Sequence, residues 1–406
     1  MTKQTLHTNI HFYLAMLIAF FLPLARLVPV FIVLMILNWL IEGDFRNKIQ
    51  LIFKNKFSLL FISFYLLHLL GLLYTQNVPS GLFDLEVKLS LILFPIVLAT
   101  RPISADKIRS IFIALLTGCV VAATIMLIRA IYIYMTSGEN YFYYEAFASF
   151  LIHPGYISMY VNVTLSWLLI NQMDQSKRFS NVIFCPLMII FTIFIILLSS
   201  KMGLITMTLI YVGFLIYYVV TRKKYLFGTI GIMVIGISIV TLLRFMPELS
   251  GRINRAVGAV TNTNTVQSES ESTAVRMLVW KAANHVISEN VITGVGTGDA
   301  KDELVKEYEK RGMTGALEHR LNAHNEYYQV FVALGTIGFI LLLGNLFFPM
   351  WWAFKTNNTL YVLFLLIILL NFLTESMLET QAGVMFYAFF NSLLCFAKSV
   401  SINRNS

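Results

Sequence analysis

Long apolar runs, broken at short intervals by charge, proline or glycine, dominate the chain. A membrane-spanning helix needs about 20 predominantly apolar residues, and runs near that length predict about twelve spans. The first run, roughly residues 10–41, holds Pro23, Arg26 and Pro29. An arginine between two helix breakers predicts a tight hairpin joining two short spans. Further spans are predicted at roughly 57–73, 83–99, 108–135, 149–171, 181–199, 202–220, 225–244, 325–350, 359–374 and 382–398. One polar segment, 245–324, interrupts the series. Its middle, Thr261 to Thr273, reads as a flexible loop or lid, with helical patterns at Ala274 to Glu289 and Asp299 to Arg311. The pattern predicts an all-α polytopic membrane protein. Its parts are an N-terminal bundle (1–244, about nine spans), one large outer loop carrying short helices (245–324) and a C-terminal bundle (325–406, about three spans).

Charge orients these spans. Starting from a cytoplasmic N-terminus, the inner side collects Lys3, then Arg46, Lys48, Lys54 and Lys56, then Arg101, Lys107 and Arg109, then Lys177 and Arg178, then Arg222, Lys223 and Lys224, then Lys355, and finally Lys398 and Arg404. The outer short connections hold only Arg26, Lys88 and Lys201. Positive charge favours the cytoplasmic side, so both termini are predicted to be cytoplasmic. Reading the first run as one span would invert every later loop.

Composition agrees and excludes the soluble classes. Of 406 residues 58% are hydrophobic and 13% charged, against about 25% charged in soluble domains. The net charge of +9 is accounted for by loops facing an anionic leaflet, so it does not call for nucleic acid as a partner. Cys119, Cys185 and Cys395 each lie in an apolar run without metal-ligand spacing and are read as inert. The N-terminal run is too long for a signal-peptide core and is expected to stay as an anchor.

Charged or titratable residues at membrane depth are functional candidates. Lys201 stands between two apolar runs at the predicted outer face; it is either a snorkelling connection lysine or a cation placed to meet a lipid-linked phosphate. His324-Asn325-Glu326-Tyr327-Tyr328-Gln329 marks the entry from the polar segment into an apolar helix. Imidazole is the side chain that exchanges a proton near neutral pH, so His324 is a candidate base, with Asn325, Glu326 and Tyr328 in support. The bland alternative is an interfacial anchor. Arg276 and Trp280, four apart, share a helix face, where Arg276 can clamp phosphate and Trp280 can sit at the lipid interface, or Arg276 is simply exposed. Gly294-Val-Gly296-Thr-Gly298 is read as a turn. His153, which opens a span, and Arg129, near the outer end of the span before it, are weaker candidates, more readily structural. Glu375 and Glu379, one helical turn apart, are either paired carboxylates or a solvated helix end. No spacing points to a metal or to a serine nucleophile, and no cofactor is expected.

The Arg276-x-x-x-Trp280 helix, the 294–298 glycine turn and above all the His324 to Gln329 stretch resemble the O-antigen ligase and polymerase superfamily, bacterial multispan glycosyltransferases of the GT-C type. His153-Pro154-Gly155-Tyr156 and Thr374-Glu375-Ser376 add to the likeness. The resemblance implies transfer, at the periplasmic face of the inner membrane and without metal or nucleotide, of a glycan from undecaprenyl diphosphate to an acceptor hydroxyl. The acceptor is lipid A-core in a ligase, another lipid-linked glycan in a polymerase, or a protein. It also implies that His324 helps to activate the hydroxyl and that basic residues hold the diphosphate. Arg276 matches one basic position. Lys201 stands where the family usually has arginine, and an ammonium lacks the bidentate fork of guanidinium. A transporter of lipid-linked glycans would place its charges at mid-membrane, which this sequence does not.

Overall fold

The structure is a computed structural model describing residues 3–174, 179–222 and 273–397. The span expected at 225–244 and the polar stretch 261–272 lie outside the described residues. Those described are helical, with no β-strand among them. Among the described residues six helices are long and apolar enough to cross a membrane, or seven if Val28–Glu42 and Phe45–Lys54, bent by 115°, count together. The chain is a multi-pass membrane protein. The expectation of about twelve spans also drew on 225–244 and on helices that fall short in length or apolarity.

The chain turns back at the Pro23–Pro29 break. Helix α1 (Lys3–Phe21) ends in a 3-10 turn, Leu22–Leu24, and α2 (Val28–Glu42) returns beside it. His7 Nδ1 meets Asn38 Oδ1 at 2.8 Å, which fixes the two as antiparallel. Helices α3 (Phe45–Lys54) and α4 (Lys56–Gly71) follow. The span expected at 83–99 divides at Leu89 into α5 (Val78–Lys88), which is amphipathic, and α6 (Ser90–Thr100), which carries Pro95. An 11-residue helix is only about 16 Å long, too short to cross alone. Lys88, expected in an outer connection, is instead fully buried at this division.

Helix α7 (Ala105–Ser137) is the longest; a short α8 (Tyr144–Ala148) leads to α9 (Pro154–Met173), then α10 (Asn181–Leu198) and α11 (Lys201–Arg222). Helix α9 buries residues on all sides, which places it at the centre of the bundle. Its polar residues are spent internally: Asn162 donates to the Gly203 carbonyl of α11, and Ser166 to Asn162. Beyond the second gap come α12 (Thr273–Glu289), α13 (Ala300–Lys310), α14 (Thr314–Glu318), α15 (Glu326–Lys355), α16 (Thr359–Phe372) and α17 (Gln381–Phe396). Helix α17 is also buried nearly all round, with Phe386 stacked on Tyr160 of α9 at 4.2 Å.

Helices α12 to α14 form a small cap with its own core of Val279, Ala282, Ala283, Leu304 and Tyr308. The glycine turn staples this cap to the bundle. At Gly335 (φ +62°) helix α15 breaks, and Thr336 N–H, normally committed to the Val332 carbonyl, donates to the Val291 carbonyl instead. The freed Val332 and Ala333 carbonyls accept the N–H groups of Val295 and Gly296, both at 2.9 Å. Gly294 (φ +69°) passes so close that a Cβ there would lie 2.5 Å from the Ala333 backbone. On its other side the turn grips the α4–α5 connection. Thr297 donates to the His68 carbonyl, and the Asp299 carboxylate accepts the N–H groups of Gln76 and Asn77, both at 2.7 Å.

The helices share a polarity. Lys56 begins α4, Arg109 of α7 reaches Asn171 at the far end of α9, and Lys355 ends α15, whereas Gly71, His153 and Glu326 lie at the opposite ends. The cap and the candidate residues gather at those opposite ends.

Candidate functional site

His324 immediately precedes α15 and adopts a left-handed backbone conformation (φ +44°), uncommon for a residue with a side chain. Its neighbours hold it there. The His324 N–H donates to Asn322 Oδ1 at 3.0 Å, and Asn325 caps α15 by accepting the Tyr328 N–H. Asn325 also reaches across to the 373–376 turn, donating from its amide to the Leu373 carbonyl and from its backbone to Ser376 Oγ.

The outcome is a three-residue contact assembled from three distant parts of the chain. Glu375 Oε1 lies 2.9 Å from Arg276 Nη2, and Glu375 Oε2 lies 3.6 Å from His324 Nδ1. Burial pushes the Glu375 carboxyl up. The imidazole of His324, the guanidinium of Arg276 and the nearby His153 outweigh this and hold it below its usual range. Glu375 is therefore an anion that orients both neighbours. With Nδ1 turned to Glu375, Nε2 is the ring nitrogen left for a substrate proton. The 3.6 Å separation is longer than a hydrogen bond, and His324 Nδ1 is buried without a hydrogen-bond partner.

The other two carboxylates point elsewhere. Glu326 is fully buried and accepts the Leu378 N–H at 2.7 Å. Glu379, at the end of the 3-10 turn Met377–Glu379, pairs with Lys88 Nζ at 2.8 Å, and Lys88 also pairs with Asp84. Glu375 and Glu379 thus diverge rather than forming a carboxylate pair. Lys88 and Asp84 were missed as site neighbours because the lysine read as a loop charge. The available signal was their i,i+4 spacing at the edge of an apolar run.

Trp280 faces the turn ahead of α15. It stacks on Tyr328 with rings 5.8 Å apart and donates to the Ala323 carbonyl, bracing the turn that carries His324. Gln329 supports the same turn by accepting the Ala323 N–H. His153 caps α9 by accepting the Gly155 N–H and lies 3.6 Å from Glu145. Lys201 opens α11 two residues before Gly203, which is packed hard against Ser158 in the first turns of α9. This brings Lys201 to the His153 end of α9. Arg129 donates to the Ala146 carbonyl and lies over the Phe150 ring at 4.4 Å, pinning the segment ahead of His153. Among the described residues no three His, Cys, Asp or Glu side chains are grouped as metal ligands.

A cavity of about 370 Å³ borders His324, Asn322, Gln329, Asp84 and Glu379. The arrangement thus offers an imidazole between an anchored arginine on one side and an open polar volume on the other. Such a site suits proton transfer beside a bound anion.

Residues 186–343 match the family model described as O-Antigen ligase. The matched stretch holds Lys201, Arg276, Trp280, the glycine turn and the His324 to Gln329 motif, and ends before Glu375. A Haemophilus influenzae protein described only as "Uncharacterized protein" is 25% identical over 186 residues, 43% of this chain and 46% of that protein. The chain therefore spans about half the length of the curated relative it matches. Taken with the multi-pass helical fold, the match makes residues 186–343 of this chain similar to the O-antigen ligase family.

Proposed function

We propose that the chain transfers a glycan from undecaprenyl diphosphate to a hydroxyl of lipid A-core at the periplasmic face of a bacterial inner membrane. The observation that carries this reading is Glu375, which holds Arg276 at 2.9 Å and His324 at 3.6 Å on one carboxylate. A cation for the leaving group and a base for the nucleophile are thereby fixed relative to each other. The family match supports a ligase or polymerase type of glycosyl transfer. The polarity of the helices supports the placement, because the site lies opposite the Lys- and Arg-rich ends.

In this mechanism the acceptor hydroxyl gives its proton to His324 Nε2 as its oxygen bonds to the anomeric carbon of the donor. The bond from that carbon to the phosphate oxygen breaks, and its electron pair leaves with the diphosphate. Arg276 and Lys201 are in this reading the cations that steady the developing negative charge. The proton on His324 then passes to the released diphosphate or to water. Diphosphate is already a good leaving group, so one base and a cationic cradle suffice. The cap, stapled over the site, limits the access of water that would hydrolyse the donor.

The test is transfer from purified undecaprenyl-diphosphate glycan to lipid A-core in detergent, for the parent and His324→Ala, with and without EDTA. Product that survives EDTA and is lost in folded His324→Ala supports the reading. Longer carrier-linked glycans without a lipid A-core product would replace ligation by polymerisation. Glycosylated protein as the product would make the acceptor a protein.

A further inference from the structure

The cavity beside His324 is separate from the cationic side of the site. Neither Arg276, Lys201 nor Glu375 borders it. Its inner wall carries Asp84 and Glu379, two carboxylates sharing one buried ammonium, Lys88. That wall presents carboxylate oxygens that accept hydrogen bonds from hydroxyl groups. Amide groups of Asn322 and Gln329 border the same volume, and Phe83, 67% exposed, offers an aromatic face at its edge. Lys301 and Arg320 border it from α13 and the α14–α15 connection, and Arg320 is already paired with Asp302 at 2.6 Å. Carboxylates, amides and an aromatic face are the groups that recognise a polyhydroxylated ring. A volume of about 370 Å³ lies within the roughly 300–1,000 Å³ range of small-ligand pockets.

We propose that this cavity seats the acceptor sugar, so that the acceptor reaches His324 from the Asp84–Glu379 side while the donor diphosphate lies on the Arg276 side. The proposal rests on the transfer reading above and adds to it where the acceptor binds. His324 then stands at the boundary of two half-sites, and the acceptor hydroxyl meets Nε2 from the cavity side.

Two substitutions outside the Glu375 contact test this. Ser80→Trp, on the cavity wall, fills part of the volume, and Phe83→Ala removes the aromatic face at a position exposed enough to leave the core intact. Binding of lipid-free core oligosaccharide to the full chain in detergent, followed by saturation-transfer NMR, is expected to weaken about tenfold in Ser80→Trp and severalfold in Phe83→Ala. Arg276→Ala should bind the oligosaccharide as the parent does. In the transfer assay both cavity variants should raise the acceptor KM and leave the donor KM unchanged. Unchanged oligosaccharide binding in both variants, no binding to the parent, or a raised donor KM in place of the acceptor KM would each overturn the acceptor pocket. If the parent consumes no lipid-linked donor, the transfer reading falls, while the binding measurement still decides what the cavity holds. Should Ser80→Trp fail to fold, Phe83→Ala decides alone.

Discussion

Two carboxylates, one near each end of the bundle, are each held between two basic side chains, yet only one stands at the candidate site. At the Lys-rich end Glu42 meets Lys48 at 2.9 Å and also Arg101. Lys48 is further committed. It donates to the Trp39 carbonyl at 2.6 Å and lies over the Trp39 ring, whose own N–H is held by Thr100. This cluster clasps the 115° bend between α2 and α3 to α6. Glu375 at the other end holds Arg276 and His324, but His324 Nδ1 has no hydrogen-bond partner, and its ring borders an open cavity. A charge cluster closed within the fold is a clasp, whereas one whose imidazole turns Nδ1 to the carboxylate and borders a cavity has Nε2 to offer a substrate.

Substitution should separate the two ends sharply. His324→Ala is expected to lower transfer by about 10²–10⁴-fold, the usual contribution of a positioned base, with little change in thermal stability. Lys48→Met should leave kcat intact and instead lower the melting temperature; a loss of transfer equal to that of His324→Ala would erase the distinction. Next in size, Lys88→Met leaves the half-buried Asp84 and Glu379 facing each other without their cation and should lower stability measured by denaturation in detergent. Glu375→Gln keeps the shape but removes the anion that orients His324 and Arg276. A fall of roughly 10–100-fold in kcat is expected, by analogy with lost orienting groups at metal ligands, with a smaller change in KM.

The acid response sharpens the comparison further. The folded Glu375 carboxyl lies below its usual range, so its contribution is present above the unfolded value and disappears only as pH falls through the lower, folded one. The difference in melting temperature between the parent and Glu375→Gln should therefore stay constant from pH 7 to about 5 and shrink only below about pH 4. A difference that shrinks between pH 7 and 5 would contradict the anionic role. Smallest of all, Arg320→Ala breaks a half-exposed pair with Asp302 and should change stability by no more than about 1 kcal/mol.

The apolar runs made most helices readable, because length and hydropathy are local properties of the sequence. The α5–α6 division was not readable. An amphipathic helix and a short apolar one abut at Leu89 and together imitate a single span. Nor could periodicity show the break at Gly335, since the apolar pattern runs straight through it and only contact with the 291–296 turn reveals it. In the site, His324 and Glu375 stood out as polar groups at span edges, and Arg276 as a basic residue on the helix face of Trp280 in the outer segment. Their meeting joins residues 99 and 51 positions apart, a relation no local pattern encodes. The same limit left Glu326, Glu375 and Glu379 interchangeable in sequence, although their three partners differ entirely.

The staple between the 291–299 turn and the broken helix is made largely of main-chain hydrogen bonds and close glycine contacts. Such a joint is indifferent to the side chains of the helices it carries. The outer part of the cap, α13 and α14, can therefore diverge between relatives while its seating over His324 is inherited unchanged. An exchange of residues 300–318 should therefore alter only the Ala300–Lys301 edge of the cavity and leave the wall of Asp84, Glu379, Asn322 and Gln329 in place.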